Sequence, residues 1–393
     1  MSLVLVLALV LAIHGVVRTV ERRALVAEGP DVVARVNELD TRRWQRPVLG
    51  DAREPVPTVH AALASLKLSR SHFLSDRDLT EALRTGGLVP IQARDLADAL
   101  TTELDGLVET THDTSSSVVH VDDVDAHDPL TLLYATRLLL VRAVQSTPAA
   151  CLALALDVLR LEQDELAGTS FGGTWTLVGK EVGSAIAVAG RCAKAAPPET
   201  LAALAPRFAT LGRASPPLGK TLAGTALLAA ASLAEWGCTE PIVPLSRAQL
   251  AAAIQCPATR RAASAWSREP ERWFDVERTT VQATSDAFAE ECRKRYVWIP
   301  WARNDDDATM PLAYGSAVAT ASAIEALLAD VVLERGRFIA TTRALAVAIA
   351  TRAKLPQGDD LMADPFGGRL GVDVAADGAI TVRSAGDVSV QLP

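Results

Sequence analysis

The chain has 393 residues, of which 49% are hydrophobic and 22% charged, so it can bury a substantial core and is not intrinsically disordered. Thirty-nine Lys and Arg against 47 Asp and Glu give a formal net charge of −8. That balance argues against a nucleic-acid partner, which calls for a basic face.

The N-terminus departs from the pattern of a soluble protein. Ser2 to Val17, SLVLVLALVLAIHGVV, is almost wholly apolar and is followed by Arg18, Arg22 and Arg23. At 1.5 Å per residue the run is slightly short for a ~30 Å hydrocarbon core, and Arg18 can snorkel to extend it. Its length also suits the apolar part of a secretory signal, but a preceding basic segment and an Ala-x-Ala cleavage site are missing. A buried N-terminal helix is the bland alternative; an uncleaved membrane anchor over 1–23 is the better reading. The arginines after the span bias that side toward the cytoplasm. An earlier start carrying basic residues would reverse the orientation, so the rest of the chain has to arbitrate.

Residues 24–126 are expected to form a juxtamembrane helical region that ends in an acidic linker. Short helices are predicted over Thr58–Leu68 and Asp76–Gly87, the second opening on an aspartate cap and closing at paired glycines. Leu96, Leu100, Leu104 and Leu107 then recur on one helical face, which predicts one longer amphipathic helix. Thr114 to Pro129, Ser-rich and then acidic, interrupts it.

A helical array is expected over 127–360. One helix runs from Pro129 to Ser146. Pro148 stands in the first turn of the next, which ends at the GTSFGG loop near Ala167. Further helices are predicted over Trp175–Lys194, over PPETLAALAPRFATLG and over Pro216–Gly237. Helix, short loop, helix in succession makes antiparallel hairpins of ~40 residues, within the range of helical repeats but without a repeated consensus. From Met310 a helical pattern resumes as one long helix, or as two broken near Gly336. The last segment, 361–393, reads as a small antiparallel β-hairpin or meander. Asp364-Pro365-Phe366-Gly367-Gly368 and Asp377-Gly378 carry the turn chemistry. Leu370, Val372 and Val374 share one strand face, with Phe366, Leu370 and Val372 expected to pack on the long helix.

Three groups of residues are candidates for function. His112, His120 and His127, among five aspartates, offer imidazole and carboxylate ligands for a metal, but their spacing matches no compact motif and an exposed acidic linker accounts for them. Trp266, Trp273, Trp298 and Trp301 lie among the acids of 266–307; such a region can bind a partner, or line a sugar site where paired acids cleave glycosides. Of the five cysteines, Cys151 and Cys192 have their midpoint between Phe171 and Gly172, inside the GTSFGG loop. Residues equidistant from a hairpin loop lie at equal height, so these two thiols are expected to be neighbours. Cys238 and Cys256 form a second plausible pair. Two disulfides in an exported protein and five buried thiols in a reduced one both remain open. No phosphate-binding glycine motif is present, and no cofactor is indicated.

The tail resembles the C-terminus of a group of uncharacterised bacterial membrane-anchored helical envelope proteins that end in an Asp-Pro-Phe-Gly turn and a small sheet. It is also similar to the tail of the major pseudopilins of type II secretion, through Asp364, Pro365, Phe366, Gly367, Ser384, Gly386 and Asp387. The pilin hallmark at the start of the membrane helix is missing, as is the acidic run that completes the pseudopilin calcium loop after Asp387, so a filament subunit is rejected. The resemblance implies an exported domain and leaves activity open. The resulting expectation is a non-catalytic scaffold in the bacterial inner membrane, with most of the chain periplasmic and with other envelope proteins as partners. A hydrolase of envelope glycans acting through 266–307 is the alternative.

Overall fold

The structure is a computed structural model. It describes residues 59–66, 76–112, 129–168, 172–218, 221 and 318–392. The expected anchor, the acidic loop and the tryptophan-rich segment lie outside the described residues.

The described residues form ten α-helices and one small sheet. The helices are α1 (Val59–Ser65), α2 (Asp76–Thr85), α3 (Ile91–Ala99), α4 (Thr101–Glu109), α5 (Pro129–Gln145), α6 (Pro148–Gly168), α7 (Gly172–Ala195), α8 (Pro198–Arg213), α9 (Val318–Arg352) and α10 (Asp359–Met362). A 3-10 turn, Thr110–His112, follows α4. The strands β1 (Gly371–Val374), β2 (Ile380–Arg383) and β3 (Ser389–Leu392) make an antiparallel meander in that order.

Helices α5, α6 and α7 pack against one another, and α9 lies against α7 and α8. Prolines at helix starts and short connections force this succession of antiparallel neighbours. The end of α9 is central: Ala344 to Ala350 are buried without interruption, as a helix apolar on every side must be. It is one helix, and Gly336 does not break it. Where α8 crosses α9, a Cβ on Gly212 would stand 3.2 Å from the Ala346 Cβ, so glycine permits the close approach. Arg343 fixes the same crossing by donating to the Gly212 carbonyl at 3.1 Å and to the Ala363 carbonyl at 2.7 Å.

Two expectations are corrected. The amphipathic segment after Pro90 is two helices, because Leu100 sits between them at φ −105°, ψ 21°. Thr101 donates its hydroxyl to the Asp98 carbonyl at 2.8 Å, a local bond that competes with the helical ladder. Leu104 and Leu107 are still buried, while Leu96 and Leu100 are half-buried against the same core. In the tail, Leu370 is buried but Phe366 and Val372 are only partly so, and Val374 is 60% exposed. The sheet packs on α9 and α7 through Ile380, Val382, Val390 and Leu392, and β1 runs off the edge of that surface.

The Asp-Pro-Phe-Gly turn and the Ser384–Gly386 turn lock together. Buried Asp364 accepts from the Phe366 N–H at 2.9 Å, the Ser384 hydroxyl at 2.8 Å and the Ala385 N–H at 2.7 Å. Gly367 and Gly368 take φ of 108° and 81°, where a side chain would be strained. Gly386 lies flat against the Phe366 ring, so that a Cβ there would enter the ring. The residues of the pseudopilin-like motif therefore have a packing role here. Asp364→Ala strands three donors and is expected to cost about 2–4 kcal/mol. Gly386→Ala should displace the ring and expose the tail to limited proteolysis. Unchanged cleavage and melting in both variants would mean that the tail is a loose appendage.

Candidate functional site

The most unusual stretch of the described chain is in α6, Asp157-Val-Leu-Arg-Leu-Glu-Gln-Asp-Glu165. Asp157, Arg160, Glu162, Gln163, Asp164 and Glu165 are all buried. Such a run normally marks a solvated face, since unpaired charges are costly to bury. Here α6 is enclosed by α5, α7, α8 and the 3-10 turn, so its polar residues point at other elements.

Each direction has its own bonding. Toward the 3-10 turn, the Thr111 hydroxyl donates to Asp157 at 2.9 Å. Along the helix, Arg160 pairs with Asp164 at 3.0 Å and donates to the side-chain Oε1 of Gln163 at 3.0 Å. Toward α8, the Gln163 amide donates to the carbonyl of Leu211, which also accepts from the Ala214 N–H, at 3.3 Å and to that of Ala214 at 3.2 Å, tying α6 to the C-terminus of that helix. Between α5 and α7, Arg137 makes a bidentate pair with Glu181, at 2.9 Å from Nε and 2.6 Å from Nη2. Its guanidinium also lies 5.5 Å from the Tyr134 ring centre.

Glu162 differs. It is 2% exposed, and neither carboxyl oxygen has a hydrogen-bond partner among the described residues. Burial, and next the nearby Glu181 carboxylate, push its pKa well above the ordinary range. Ser184, one turn further along α7 from Glu181, also has a buried hydroxyl without a hydrogen-bond partner among the described residues. Asp157 is pushed up to about 7 by burial; Thr111 and Arg207 oppose the shift and Glu109 adds to it.

The shift of Asp157 has a definite sign. Its folded pKa lies above the unfolded one, so the stability it contributes is complete below about pH 4 and is lost as pH climbs toward about 7, on the order of 4 kcal/mol in all. Asp157→Asn, which keeps an acceptor for Thr111, should reduce the slope of this part of the pH–stability curve, leaving the share that Glu162 contributes. A curve that keeps its slope would assign the slope elsewhere.

The structure joins Cys151 and Cys192 by a disulfide, with Cα atoms 5.9 Å apart. His112 closes the 3-10 turn. His120, His127, Cys238, Cys256, Trp266, Trp273, Trp298 and Trp301 lie outside the described residues. Among the described residues, no three His, Cys, Asp or Glu side chains are grouped to hold a metal ion, and no helix is long and apolar enough to cross a membrane.

No family model matches the chain, and no curated protein or solved structure matches it either. Its chemistry has to be read from its own residues. The α6 cluster escaped the sequence reading because a charged helical segment resembles a wet surface. One signal was available: the equal-height rule that pairs Cys151 with Cys192 also pairs Glu162 with Glu181, eleven residues nearer the loop on each helix.

Proposed function

We propose that the protein is a non-catalytic scaffold of the bacterial cell envelope, anchored by its N-terminal apolar segment, with the helical array and β cap on the periplasmic side. The observation that carries this reading is the Cys151–Cys192 disulfide, since such bonds persist in oxidising compartments and are rare in the cytosol. The apolar run over 1–23 and the exported-type tail support it. The bonding of the buried charges supports the non-catalytic part. Arg137 with Glu181, Gln163 with α8 and Thr111 with Asp157 each tie one element to another. Stacked helices then offer extended faces to partner proteins.

The test is affinity capture of the full chain from membranes of its own host after cross-linking, followed by mass spectrometry. Envelope proteins recovered reproducibly, together with resistance of the full chain to carbonate extraction, are expected. A chain recovered alone, and able to cleave purified envelope glycan, would replace the scaffold by a hydrolase. Release of the full chain by carbonate would remove the anchor.

A further inference from the structure

The α6–α7 hairpin is a closed ring. The three-residue connection between Gly168 and Gly172 shuts one end and the Cys151–Cys192 disulfide shuts the other. Glu162 and Glu181 stand inside this ring. Each is eleven residues from its cysteine, which is close to three helical turns, so each lies on the same face of its helix as that cysteine. Two cysteines that face each other therefore bring two glutamates face to face at the same height.

The charges do not balance if both acids ionise. Arg137 supplies one positive charge and spends its fork on Glu181. A second carboxylate on Glu162 would leave the trio at a net charge of −1 in a buried interface. Relief by separating the helices is blocked at both ends of the ring. Of the other charged groups on elements packed against α6, Arg142 pairs with Asp105, while Arg207 and Glu109 act on Asp157. Arg160 and Asp164, on α6 itself, pair with each other, and Glu165, one turn on from Glu162, is a further buried carboxyl of that helix. Among the described residues, the group that acts on Glu162 is Glu181.

We propose that Glu162 is a proton-binding site that holds one proton at neutral pH, and that the loop-and-disulfide ring makes the α6–α7 joint sensitive to pH. The proton comes from solvent as Glu162 changes from carboxylate to neutral acid, and no other bond is made or broken. Losing it charges the interface and loosens α6 from α7, while Arg137 and Glu181 stay paired. Reducing the disulfide gives the helices room to part, which lowers the affinity for the proton. The ring thus couples the redox state of the cysteines to the protonation of Glu162. This inference does not depend on the scaffold reading.

The experiment uses the purified full chain. Infrared spectra of wild type and Glu162→Gln at about pH 7 should differ by the carbonyl stretch of a protonated carboxyl group, the contribution of Asp157 being common to both. Thermal unfolding should show that wild type loses stability as pH rises from the ordinary carboxylate range toward the raised pKa of Glu162, that Glu162→Gln loses less over the same span, and that in Cys151→Ser/Cys192→Ser the loss ends at a lower pH. A wild-type spectrum without a protonated carboxyl at that pH overturns the proposal whether or not the variants fold, and so does a folded Glu162→Gln whose spectrum keeps the whole band. An unchanged pH dependence in Glu162→Gln overturns it as well. An unchanged midpoint in the cysteine variant would remove the coupling to the disulfide.

Discussion

Replacing Arg137 by alanine is expected to cost about 3–5 kcal/mol, enough to unfold much of the helical array at ordinary temperatures. The pair with Glu181 is almost completely withdrawn from water, with side-chain exposures of 6% and 8%. Removing the guanidinium leaves a buried carboxylate without its counter-charge, opposite a second carboxyl on Glu162. It also removes the bond that joins α5 to α7 across the hairpin. Arg137→Lys keeps the charge but not the planar fork, so it should lose less than alanine and more than a surface change. The double variant Arg137→Met/Glu181→Leu should recover most of the loss, because a buried pair stabilises little beyond what apolar side chains of similar size supply. Chemical denaturation of the four proteins measures this directly. Equal stability of wild type and Arg137→Ala would mean that the pair is dispensable and that α5 is held by apolar contacts alone.

How much of this was legible in the sequence depends on the range over which each feature acts. Local chemistry was plain. Pro148 and Pro198 open helices at the expected places, and the glycines after Phe366 make the turn that their backbone freedom implies. The hairpin register followed from counting residues on either side of the loop. Long-range polar bonding was not legible. The partners of Arg137, Asp157 and Gln163 lie 44, 46 and 48 residues away. Nothing in the run from Asp157 to Glu165 distinguishes a buried seam from a wet face until the neighbours of α6 are placed. The partial exposure of Val372 and Val374 has a similar origin. Alternation fixes which side chains share a face of β1, but only the position of α9 decides where that face runs out of core. The split at Leu100 was masked by the leucine periodicity, which runs on across it.

Loss of the Cys151–Cys192 bond is the second change expected to have a large effect. The two cysteines are 41 residues apart, and closing a chain segment of that length restricts the unfolded state by about 4 kcal/mol in the chain-entropy treatment. Their Cα separation of 5.9 Å lies in the ordinary range for a disulfide. Both cysteines are buried, so reduction should require partial opening of the hairpin and be slow in the folded protein. Cys151→Ala/Cys192→Ala should therefore melt well below the oxidised wild type and close to wild type unfolded and refolded in reductant. Peptide mapping without reduction, on protein taken from its own host, should recover the linked pair. Free thiols at both positions in that sample would place the chain in a reducing compartment and remove the main support for export. Equal melting of oxidised and reduced protein would show instead that the bond forms but that the α6–α7 register is already fixed by the packing of Leu152, Leu156 and Leu159 in the shared core.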